Sequence, residues 1–411
     1  MKSCDDYDPN SLTVEQALQR IEQDLQTIGA KEQVTIRSAL GRILAEDVFS
    51  KINVPPHENS AMDGYAVRGA DLGGRVQLSV VGTCFAGQPY METVEAGQCV
   101  RIFTGAVIPN GTDTVIMQEH VERDGDVITV GAGHKTGQNV RPVGEDMSIG
   151  ETVLKAGKRL SPADIGLLAS LGIPEVKIFR RLRVAFFSTG DELCAVGEVP
   201  QPGQIYDSNR YTLYGMLTRL GVEIVDMGVV HDKPEDVENA FLSAANGNDA
   251  IITSGGVSVG DADYVTDTLR RIGEVNFWKV AMKPGKPLTF GKIQKAVFFG
   301  LPGNPVSAMV TFYQFVQPAL QRMMGQKQVG RTRVTVPCVS SLKKRPGRMD
   351  FQRGILETDE QGGLVVRSTG KQGSGILSSM SQANCFIILP VESGNVAAGG
   401  EVLVEPFEGL V

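Results

Sequence analysis

The chain has 411 residues, too many for one hydrophobic core, so two to four domains are expected. Its 42% hydrophobic and 21% charged residues are typical of a globular protein, and no apolar run reaches the roughly 20 residues that span a bilayer. The net charge of -7 disfavours nucleic acid as the main partner, because phosphate backbones bind basic surfaces. Since a signal-peptide pattern is also missing, we expect a cytoplasmic protein without a membrane or nucleic-acid partner.

The first 180 residues are predicted to form a β-rich N-terminal region in two lobes, with a helix in front. The segment 13–16 (TVEQ) fits a capping box followed by apolar residues at helical spacing, so an amphipathic helix should begin there and serve packing or a subunit contact. A second helix should open at 161–164 (SPAD), with serine as cap and proline in the first turn. Short strand-like runs are predicted at 76–81, 99–103 and 114–118.

Residues 181–327 are predicted to form a doubly wound α/β domain, whose mostly parallel sheet is covered by helices on both faces. The expected helices are 209–220, 234–245, 264–271 and 305–324. The expected strands are 182–187, 223–229, 250–253, 275–280 and 296–299. After residue 327 the helical period disappears, so 328–411 are predicted to form a small all-β C-terminal domain.

Each of these five strands is followed by a polar or glycine-rich loop. The loops are 188–192, 230–234, 253–263, 283–287 and 301–305. Ligands of open α/β sheets bind outside the carboxyl ends of the strands. The loops therefore predict one site for a polyanionic ligand.

The loop 253–260 is neither a P-loop nor a G-x-G-x-x-G fingerprint. Gly255, Gly256 and Gly260 would let its backbone approach a ligand closely and direct N–H groups at an oxyanion. A glycine turn without a ligand remains the alternative.

Several carboxylates lie at these same strand ends, namely Asp191, Glu192, Asp232, Asp261 and Asp263. They would repel a phosphate unless a hard cation intervened. Mg²⁺, held by one or two carboxylates and by substrate phosphates, resolves the conflict, and another divalent cation could replace it. Helix capping by some of these aspartates remains open.

Lys283 and Lys286 lie in a proline-stiffened loop and would contact a phosphate or another oxyanion. Exposed surface lysines are the alternative. Asn304 is the expected cap of the next helix, with Pro305 in its first turn. A second basic cluster could attract an anion or be a solvated β surface, with only Asp350 as a neighbouring acid: it comprises Arg331, Arg333, Lys343, Lys344, Arg345, Arg348 and Arg353.

The six cysteines are widely spaced and form no C-x-x-C pair, and the four histidines show no short metal-ligand spacing. This pattern argues against a zinc ribbon, an iron–sulfur site and a disulfide framework. We expect most of the cysteines to be core thiols in a reducing compartment.

In these loops the sequence resembles the MoeA family of molybdopterin molybdenumtransferases, to which the C-terminal part of gephyrin is related. Further motifs agree over nearly the whole chain, at 60–67 (SAMDGYAV), 141–146 (RPVGED), 372–374 (QGS) and 379–384 (SMSQAN). The middle domain alone also resembles molybdopterin adenylyltransferases and CinA-type proteins, and the flanking motifs separate them.

The resemblance implies that molybdate and adenylylated molybdopterin are substrates, and that molybdenum cofactor and AMP are products. It implies a homodimer in which Asp63, Thr104 and Asp146 reach the cleft of the other subunit. It also implies contacts with the adenylyltransferase and with molybdoenzyme maturation proteins. Whether molybdate or tungstate is preferred is left open by the sequence.

The resemblance also assigns roles to residues. It implies catalytic roles for Asp63, Thr104, Asp146, Glu192, Asp232, Asp263 and Lys279. It implies a Mg²⁺ site of Asp191, Glu192, Asp232 and Asp263. It implies substrate binding by Ser188, Gly255, Gly256, Ser258, Lys283, Lys286, Pro302, Pro305, Arg353 and Ser374.

Two positions depart from the family pattern. His57 stands where a large apolar residue is common, and Gly375 follows 372–374 where histidine is frequent. The first should alter packing or pH response, and the second weakens any role for an imidazole beside the oxyanion. A molybdopterin adenylyltransferase and a gephyrin-like scaffold remain the alternative functions.

Overall fold

A computed structural model describes residues 10–255, 264–327 and 330–407. The chain divides into two compact units. The N-terminal unit comprises Gln33–Leu40 and Leu44–Lys177, and the main unit comprises Met1–Glu32, Gly41–Ile43 and Ile178–Val411. None of the helices in the described ranges is long and apolar enough to cross a membrane.

The helices of the described residues are α1 (Val14–Asp24), α2 (Pro162–Ser170), α3 (Ser208–Leu220), α4 (Pro234–Ala245), α5 (Tyr264–Ile272), α6 (Pro305–Thr311), α7 (Gln317–Met323) and α8 (Leu377–Gln382). The strands up to residue 179 are β1 (Lys31–Thr35), β2 (Val48–Phe49), β3 (Asn59–Ser60), β4 (Gly64–Val67), β5 (Val76–Cys84), β6 (Gln98–Ile102), β7 (Thr114–Met117), β8 (Val121–Asp124), β9 (Val127–Val130), β10 (Val140–Arg141), β11 (Thr152–Leu154) and β12 (Glu175–Phe179). The later strands are β13 (Arg183–Thr189), β14 (Leu193–Cys194), β15 (Ile205–Tyr206), β16 (Glu223–Val230), β17 (Ala250–Ser254), β18 (Glu274–Lys279), β19 (Met282–Lys283), β20 (Pro287–Ile293), β21 (Ala296–Leu301), β22 (Val334–Pro337), β23 (Met349–Thr358), β24 (Leu364–Ser368), β25 (Cys385–Leu389) and β26 (Glu401–Pro406).

The N-terminal unit contains a six-stranded sheet in the order β7-β4-β6-β5-β9-β8. Both faces of this sheet are covered. Tyr65 and Val67 of β4 belong to one apolar cluster, and the intervening Ala66 belongs to another, as the two-residue period of a strand requires. The predicted cap of α2 is confirmed, since the Ser161 hydroxyl accepts from the Asp164 backbone N–H.

The main unit contains a six-stranded α/β sheet in the order β16-β13-β17-β21-β20-β18. The ladders from β16 to β21 are parallel, whereas β20 is antiparallel to both of its neighbours. Val184 and Phe186 pack on one face, and Ala185 and Phe187 pack on the other. The predicted doubly wound, mostly parallel domain is therefore confirmed.

Helix α1 also belongs to the main unit. The Thr13 side chain accepts from the Gln16 backbone N–H, and the Gln16 side chain caps Thr13 in return, so the predicted capping box is confirmed. Val14, Ala17 and Ile21 are buried in the same apolar cluster as one face of the sheet. The helix therefore serves packing within this unit.

Three details of the predicted elements are wrong. The strand β20 was not predicted, and it returns the chain in the antiparallel direction between β18 and β21. The C-terminal part is not all β, because it contains the short helix α8. The helix expected at 305–324 is interrupted by a π turn over Phe312–Val316.

The π turn has a local cause. Pro318 lacks the N–H that would donate to the Gln314 carbonyl four residues earlier. That carbonyl instead accepts a hydrogen bond from Arg331 Nη2 at 3.0 Å. A side chain from the C-terminal part of the unit thus satisfies the carbonyl that the π turn leaves free.

The C-terminal part of the main unit is built on the sheet β19-β23-β25-β26-β22, with β24 paired to β23. Strand β19 comes from the loop that follows β18, and it pairs in parallel with β23, placing Lys283 opposite Asp350. The chain thereby links the loop 283–287, which we call the lysine loop, to the second sheet of the unit. The domain limits predicted at residues 180 and 327 stay predictions.

Candidate functional site

The strands β13, β17 and β21 of the main unit end at one edge of the α/β sheet, because they are parallel. Strand β18 ends at the same edge, since it is antiparallel to β20, which is antiparallel to β21. Strand β16 also ends there, next to β13, with Val230 paired to Thr189. The tertiary structure therefore collects the loops that follow these strands at one edge.

Buried oxygen atoms without a hydrogen-bond partner lie at or next to this edge. These oxygens have no partner within the described part of the chain, and we call their residues the edge cluster: Ser188, Thr189, Asp207, Asn209 and Thr253. Because unsatisfied buried polar groups are rare in folded proteins, such atoms indicate a polar partner that the described chain does not supply.

Asn209 holds this edge together. Its side-chain nitrogen donates to the Ser254 hydroxyl and to the Gly303 carbonyl, both at 2.7 Å. The loop after β17 is thereby tied to the loop after β21. The side-chain carbonyl oxygen of Asn209 stays buried and available to a ligand.

The loop 253–263, which we call the glycine loop, approaches β13 closely at Gly255. Gly255 has a φ of +92°, and a Cβ at this position would lie 2.6 Å from the Thr189 carbonyl oxygen. Only glycine fits this close approach without a shift of the backbone. The predicted ligand residues Gly256 and Ser258, and the predicted metal ligand Asp263, lie outside the described residues.

Two of the predicted metal ligands are neighbours. The Asp232 backbone N–H donates to Asp191 Oδ1 at 3.3 Å, and His231 Nδ1 lies 3.5 Å from the same oxygen. Glu192 is exposed one residue further along. Over the described ranges, His, Cys, Asp and Glu side chains form no group of three or more that could hold a metal ion.

The lysine loop is tightly folded. The Val280 N–H donates to the Lys286 carbonyl at 2.8 Å, and the Met349 N–H donates to the Ala281 carbonyl at 2.9 Å. Gly285 has a φ of +98°, and a Cβ there would lie 2.7 Å from the Thr311 hydroxyl. Lys283 is exposed and Lys286 is half-buried, whereas Lys279 at the end of β18 is exposed.

Several predicted ligand residues line one cavity of about 950 Å³ within the main unit. We call this cavity the central pocket, and its predicted members are Lys283, Lys286, Pro302, Arg353 and Ser374. The volume is in the range of small-molecule sites. Pro305 starts α6 beside it, and the next residue, Val306, donates its N–H to the Ser374 carbonyl at 3.0 Å.

Arg353 is the central cation of this pocket and is only 1% exposed. Its Nε donates to the Ser379 hydroxyl at 3.1 Å, and its Nη2 donates to the Gly373 carbonyl at 3.2 Å. Burial lowers the pKa of Arg353 to about 10, and the nearby Asp350 opposes this shift. Among the described residues it forms no ion pair, so its charge is available to an anion.

Gln372 holds the backbone of Arg353. Its side-chain oxygen accepts from the Arg353 N–H at 2.8 Å, and its side-chain nitrogen donates to the Arg353 carbonyl at 3.0 Å. The same nitrogen donates to the hydroxyls of Ser368 and Thr369. The QGS motif therefore positions the arginine.

The second basic cluster does not behave as one group. Arg331 and Arg333 pair with Glu405 at 3.3 and 2.9 Å, so Asp350 is not the acid that faces them. Lys344 is only 5% exposed, and its ammonium donates to three backbone carbonyls. For Lys344 the solvated surface considered from the sequence is therefore wrong.

The N-terminal unit contains the remaining predicted residues. Asp63 Oδ1 accepts from the backbone N–H and the hydroxyl of Thr104, at 2.8 and 2.7 Å. These two hydrogen bonds hold the pKa of Asp63 below its ordinary value. Asp146 is exposed and donates its backbone N–H to the Val54 carbonyl, and it makes no described hydrogen bond to Asp63 or Thr104.

The two departures from the expected pattern lie in open positions. His57 is exposed. A Cβ added to Gly375 would meet nothing within 4 Å.

Sequence reasoning missed Thr189, Asp207, Asn209 and Thr253 of the edge cluster. Thr189 lies inside the predicted ligand loop 188–192, but its side-chain type did not identify it as a ligand residue. Asp207 and Asn209 surround the start of α3, where a helix cap is the ordinary reading, and Asp207 does accept from the Arg210 N–H. The remaining oxygen of Asp207 could be recognised only from its burial.

Family models match most of the chain. The descriptions are "MoeA N-terminal region (domain I and II)" for residues 12–172, "Probable molybdopterin binding domain" for 185–322 and "MoeA C-terminal region (domain IV)" for 335–407. The order of the three matches is that of the segments predicted from the sequence.

The chain is also similar to full-length proteins. It is 49% identical over 402 residues to the molybdopterin molybdenumtransferase of Haemophilus influenzae, covering 97% of this chain and 100% of the relative. It is 38% identical over 383 residues to that of Nostoc sp., covering 91% and 88%. It is 35% identical over 446 residues to gephyrin of Dictyostelium discoideum, covering 96% of this chain and 62% of that protein.

A solved structure agrees in fold. The crystal structure of the molybdopterin biosynthesis moeA protein from Pyrococcus horikoshii superposes with a TM-score of 0.85 at 30% identity. It covers 97% of this chain and 100% of that one.

Proposed function

The chain belongs to the MoeA family and inserts molybdenum into molybdopterin, and we propose that the central pocket is where it does so. The transferase activity follows from the near full-length similarity to molybdopterin molybdenumtransferases. The observation that carries the location is Arg353, a buried cation that lacks an ion pair among the described residues and faces a cavity lined by Lys283 and Lys286. Such a cavity suits a small oxyanion next to a larger substrate.

The substrates are molybdate and adenylylated molybdopterin. Lys283 and Arg353 contact molybdate in the central pocket, with Ser374 beside them, and Lys286 lies between them and the phosphates. The phosphates extend to the sheet edge, where Ser188 and the rest of the edge cluster supply polar atoms and Gly255 allows close approach. Support for this division comes from Asn209, which ties the glycine loop to the loop that lines the pocket.

The loop after β21 lies between the two halves of this site. Pro302 lines the central pocket and Pro305 begins α6 next to it. Both prolines limit the conformations of a loop that must hold two ligands in register. Gly256 and Ser258 belong to the phosphate half in this proposal.

A divalent cation, Mg²⁺ in the first instance, is assigned to Asp191, Glu192 and Asp232 together with Asp263. The described carboxylates are hard oxygen ligands of the kind that Mg²⁺ prefers, and Asp232 lies next to Asp191, to whose Oδ1 its backbone N–H donates. When bound, the cation would neutralise phosphate charge and polarise the phosphoanhydride.

In the reaction, water adds to the adenylyl phosphorus, the phosphoanhydride bond breaks and AMP leaves, while the terminal phosphate stays on the pterin. Lys279 and Lys286 stabilise the negative charge that develops on the phosphoryl oxygens. Arg353 and Lys283 hold molybdate against the dithiolene, and two Mo–S bonds form as one oxide ligand takes up the two thiol protons and leaves as water. The release of AMP is thereby coupled to metal insertion.

We further propose that the protein acts as a homodimer, in which a second copy supplies Asp63, Thr104 and Asp146. The local support is the hydrogen-bonded pair of Asp63 and Thr104, which holds the Asp63 carboxylate in a fixed position. Delivery by the adenylyltransferase and transfer to maturation proteins belong to the same proposal. A cytoplasmic location fits the buried free thiols of the described cysteines.

One reconstitution separates the possible functions. The protein is incubated with adenylylated molybdopterin, molybdate and Mg²⁺, and AMP and active cofactor are measured. We expect both products in equal amounts. AMP without cofactor, or neither product, would contradict the proposal.

Parallel arms test the alternatives. Consumption of ATP with non-adenylylated molybdopterin would identify an adenylyltransferase, and peptide binding without turnover would identify a scaffold. Replacing molybdate with tungstate at equal concentration measures the preference between the two oxyanions. Replacing Mg²⁺ with Mn²⁺ or Ca²⁺ tests the metal.

A further inference from the structure

A second cavity of about 440 Å³ adjoins the central pocket. We call it the side pocket. Lys283, Lys343, Arg348 and Asp350 line both cavities, so the two share a wall. Lys344 and Arg345 line only the side pocket.

The side pocket is strongly cationic. Among its lining residues are three lysines and two arginines but one carboxylate, that of Asp350. Asp350 is only 6% exposed, and burial raises its pKa while the surrounding cations oppose that shift. On a chain with a net charge of -7, this local surplus attracts anions and disfavours cationic ligands.

The backbone that carries these cations is held by hydrogen bonds and forms a fixed framework. Leu342 and Val396 exchange backbone hydrogen bonds at 2.8 and 3.0 Å, and the Gly347 N–H donates to the Val391 carbonyl at 2.9 Å. The segment 343–346 is therefore held at both ends against 391–396. Less conformational freedom is lost when a ligand binds a loop that is already held.

Lys344 strengthens this framework without neutralising its charge. Its ammonium donates to the carbonyls of Arg345, Val391 and Ser393 at 3.3, 3.4 and 3.1 Å. Its backbone N–H donates to Asn395 Oδ1 at 2.9 Å. Because the three acceptors are uncharged, the positive charge of Lys344 still acts on the cavity.

The lining selects the chemical class of ligand. No aromatic side chain is among the described residues that line the side pocket, so the pocket offers no stacking surface for a pterin or an adenine. Lys343 and Arg345 are exposed, and among the described residues their side chains make no hydrogen bond or ion pair. The chemistry present suits a compact, hydrated oxyanion.

We propose that the side pocket is a second oxyanion site, which binds molybdate before it enters the central pocket past the shared wall of Lys283 and Arg348. The naming of molybdate rests on the proposed function, whereas the oxyanion site rests on the pocket itself. A second site next to the reaction site raises the local concentration of the incoming anion.

The test is equilibrium dialysis of the full chain with molybdate alone, without any pterin, at low ionic strength. The double variant Lys343→Ala/Arg345→Ala removes two cations of the side pocket, and Arg345→Ala alone removes one that does not also line the central pocket. Lys295→Ala is the matched control, because Lys295 is an exposed cation of the same unit in the turn before β21, at the opposite edge of the sheet. Thermal unfolding of each variant checks that the fold is intact.

We expect wild type and control to bind two molybdate ions per chain, and the double variant to lose or weaken one of these by at least tenfold. The same variant should raise the KM for molybdate by at least fivefold. Identical isotherms for the double variant and the control would overturn the proposal.

Competition with phosphate and sulfate identifies the ligand. Displacement of the side-pocket ion only by tungstate supports molybdate as its ligand. Displacement by phosphate at equal concentration overturns molybdate while retaining an oxyanion site. Because the dialysis involves no turnover, its result holds even if the reconstitution releases no AMP. Failure of the side-pocket proposal and failure of the proposed function can therefore be told apart.

Discussion

Arg353 and Lys344 are both buried cations of the C-terminal part of the main unit, and they differ in how their donors are used. The Lys344 ammonium donates to three carbonyls and supports a loop. Arg353 donates through Nε and Nη2 to a hydroxyl and a carbonyl, while its Nη1 has no hydrogen-bond partner among the described residues. A buried guanidinium with a free donor is costly unless an anion binds it, and this cost favours the ligand.

The first prediction concerns Lys286, which lines the central pocket. Lys286→Ala removes a cation that stabilises developing negative charge, and such a loss costs roughly 2.7 to 4 kcal/mol in the transition state. We expect cofactor formation to slow by about a hundredfold or more. The rate is measured as AMP release under saturating substrates. Lys295→Ala is the control, and a loss under about fivefold in Lys286→Ala would argue against a direct role.

The second prediction concerns two core thiols. Burial raises the pKa of Cys99 and of Cys385 to about 12, above the ordinary thiol value of 9.0. Because the folded-state pKa values are higher, the folded chain retains these protons above pH 9, where the unfolded chain loses them. The stability that they contribute is complete below about pH 9 and falls as the pH rises towards about 12.

Urea unfolding at several pH values measures this decline. Peptide mapping after iodoacetamide treatment at pH 9 gives a second readout. Both thiols should stay unmodified in the folded chain and react in urea. Rapid alkylation of either thiol in the folded chain would contradict its burial.

At the scale of elements, the lysine loop has two attachments. It leaves the α/β sheet at the end of β18, and its strand β19 then pairs with β23 of the second sheet. Its return passes through Gly285 into β20. The position of Lys283 and Lys286 therefore depends on two sheets at once, and a distortion of the loop should affect both binding and stability.

The third prediction compares two glycines of the main unit. Gly285→Ala places a Cβ 2.7 Å from the Thr311 hydroxyl at a φ of +98°, which we expect to destabilise the chain by about 1 to 3 kcal/mol. Gly215 lies inside α3 with nothing within 4 Å of an added Cβ, so Gly215→Ala should stabilise by roughly 0.5 to 1 kcal/mol. Urea unfolding measures both changes. Equal effects of the two variants would refute the proposed geometry of the loop.

Elements were predicted best where local signals are strong. The caps of α1 and α2 were located from short-range hydrogen-bonding residues, and α4 has the predicted bounds. Strand β20 was missed because the pattern of its apolar and polar residues does not show in which direction it runs. Its direction is determined only by its pairing with β18 and β21. Pro318 is visible in the sequence, but the π turn was missed because the donor that satisfies the Gln314 carbonyl, Arg331, comes from another segment.

At the scale of the whole molecule, the proposed site residues are divided between the two units. Lys283, Lys286 and Arg353 belong to the main unit, whereas Asp63 and Thr104 belong to the N-terminal unit. A cyclic dimer with two equivalent sites accommodates this division when each site takes residues from both copies. The proposal can be tested without knowing the geometry of the dimer.

The fourth prediction is complementation between two inactive variants. Asp63→Asn alters the N-terminal unit and Lys286→Ala alters the main unit. If each site combines the two copies, co-refolded mixtures contain heterodimers with one intact site, and about a quarter of wild-type activity should return. AMP release measures the recovery. Mixtures that stay inactive, although heterodimers form by native mass spectrometry, would place both residues in a site of one copy.

The sequence by itself determined the family, the alternation of strand and helix and the loops that carry the ligand chemistry, because these depend on residue types at short spacing. The tertiary structure decided which of those residues meet. It buried Arg353 and Lys344, gathered Asp207 and Asn209 beside the glycine loop and divided the basic cluster between Glu405 and the pockets. Burial and pairing arise from segments far apart in the chain, and for that reason no local pattern could specify them.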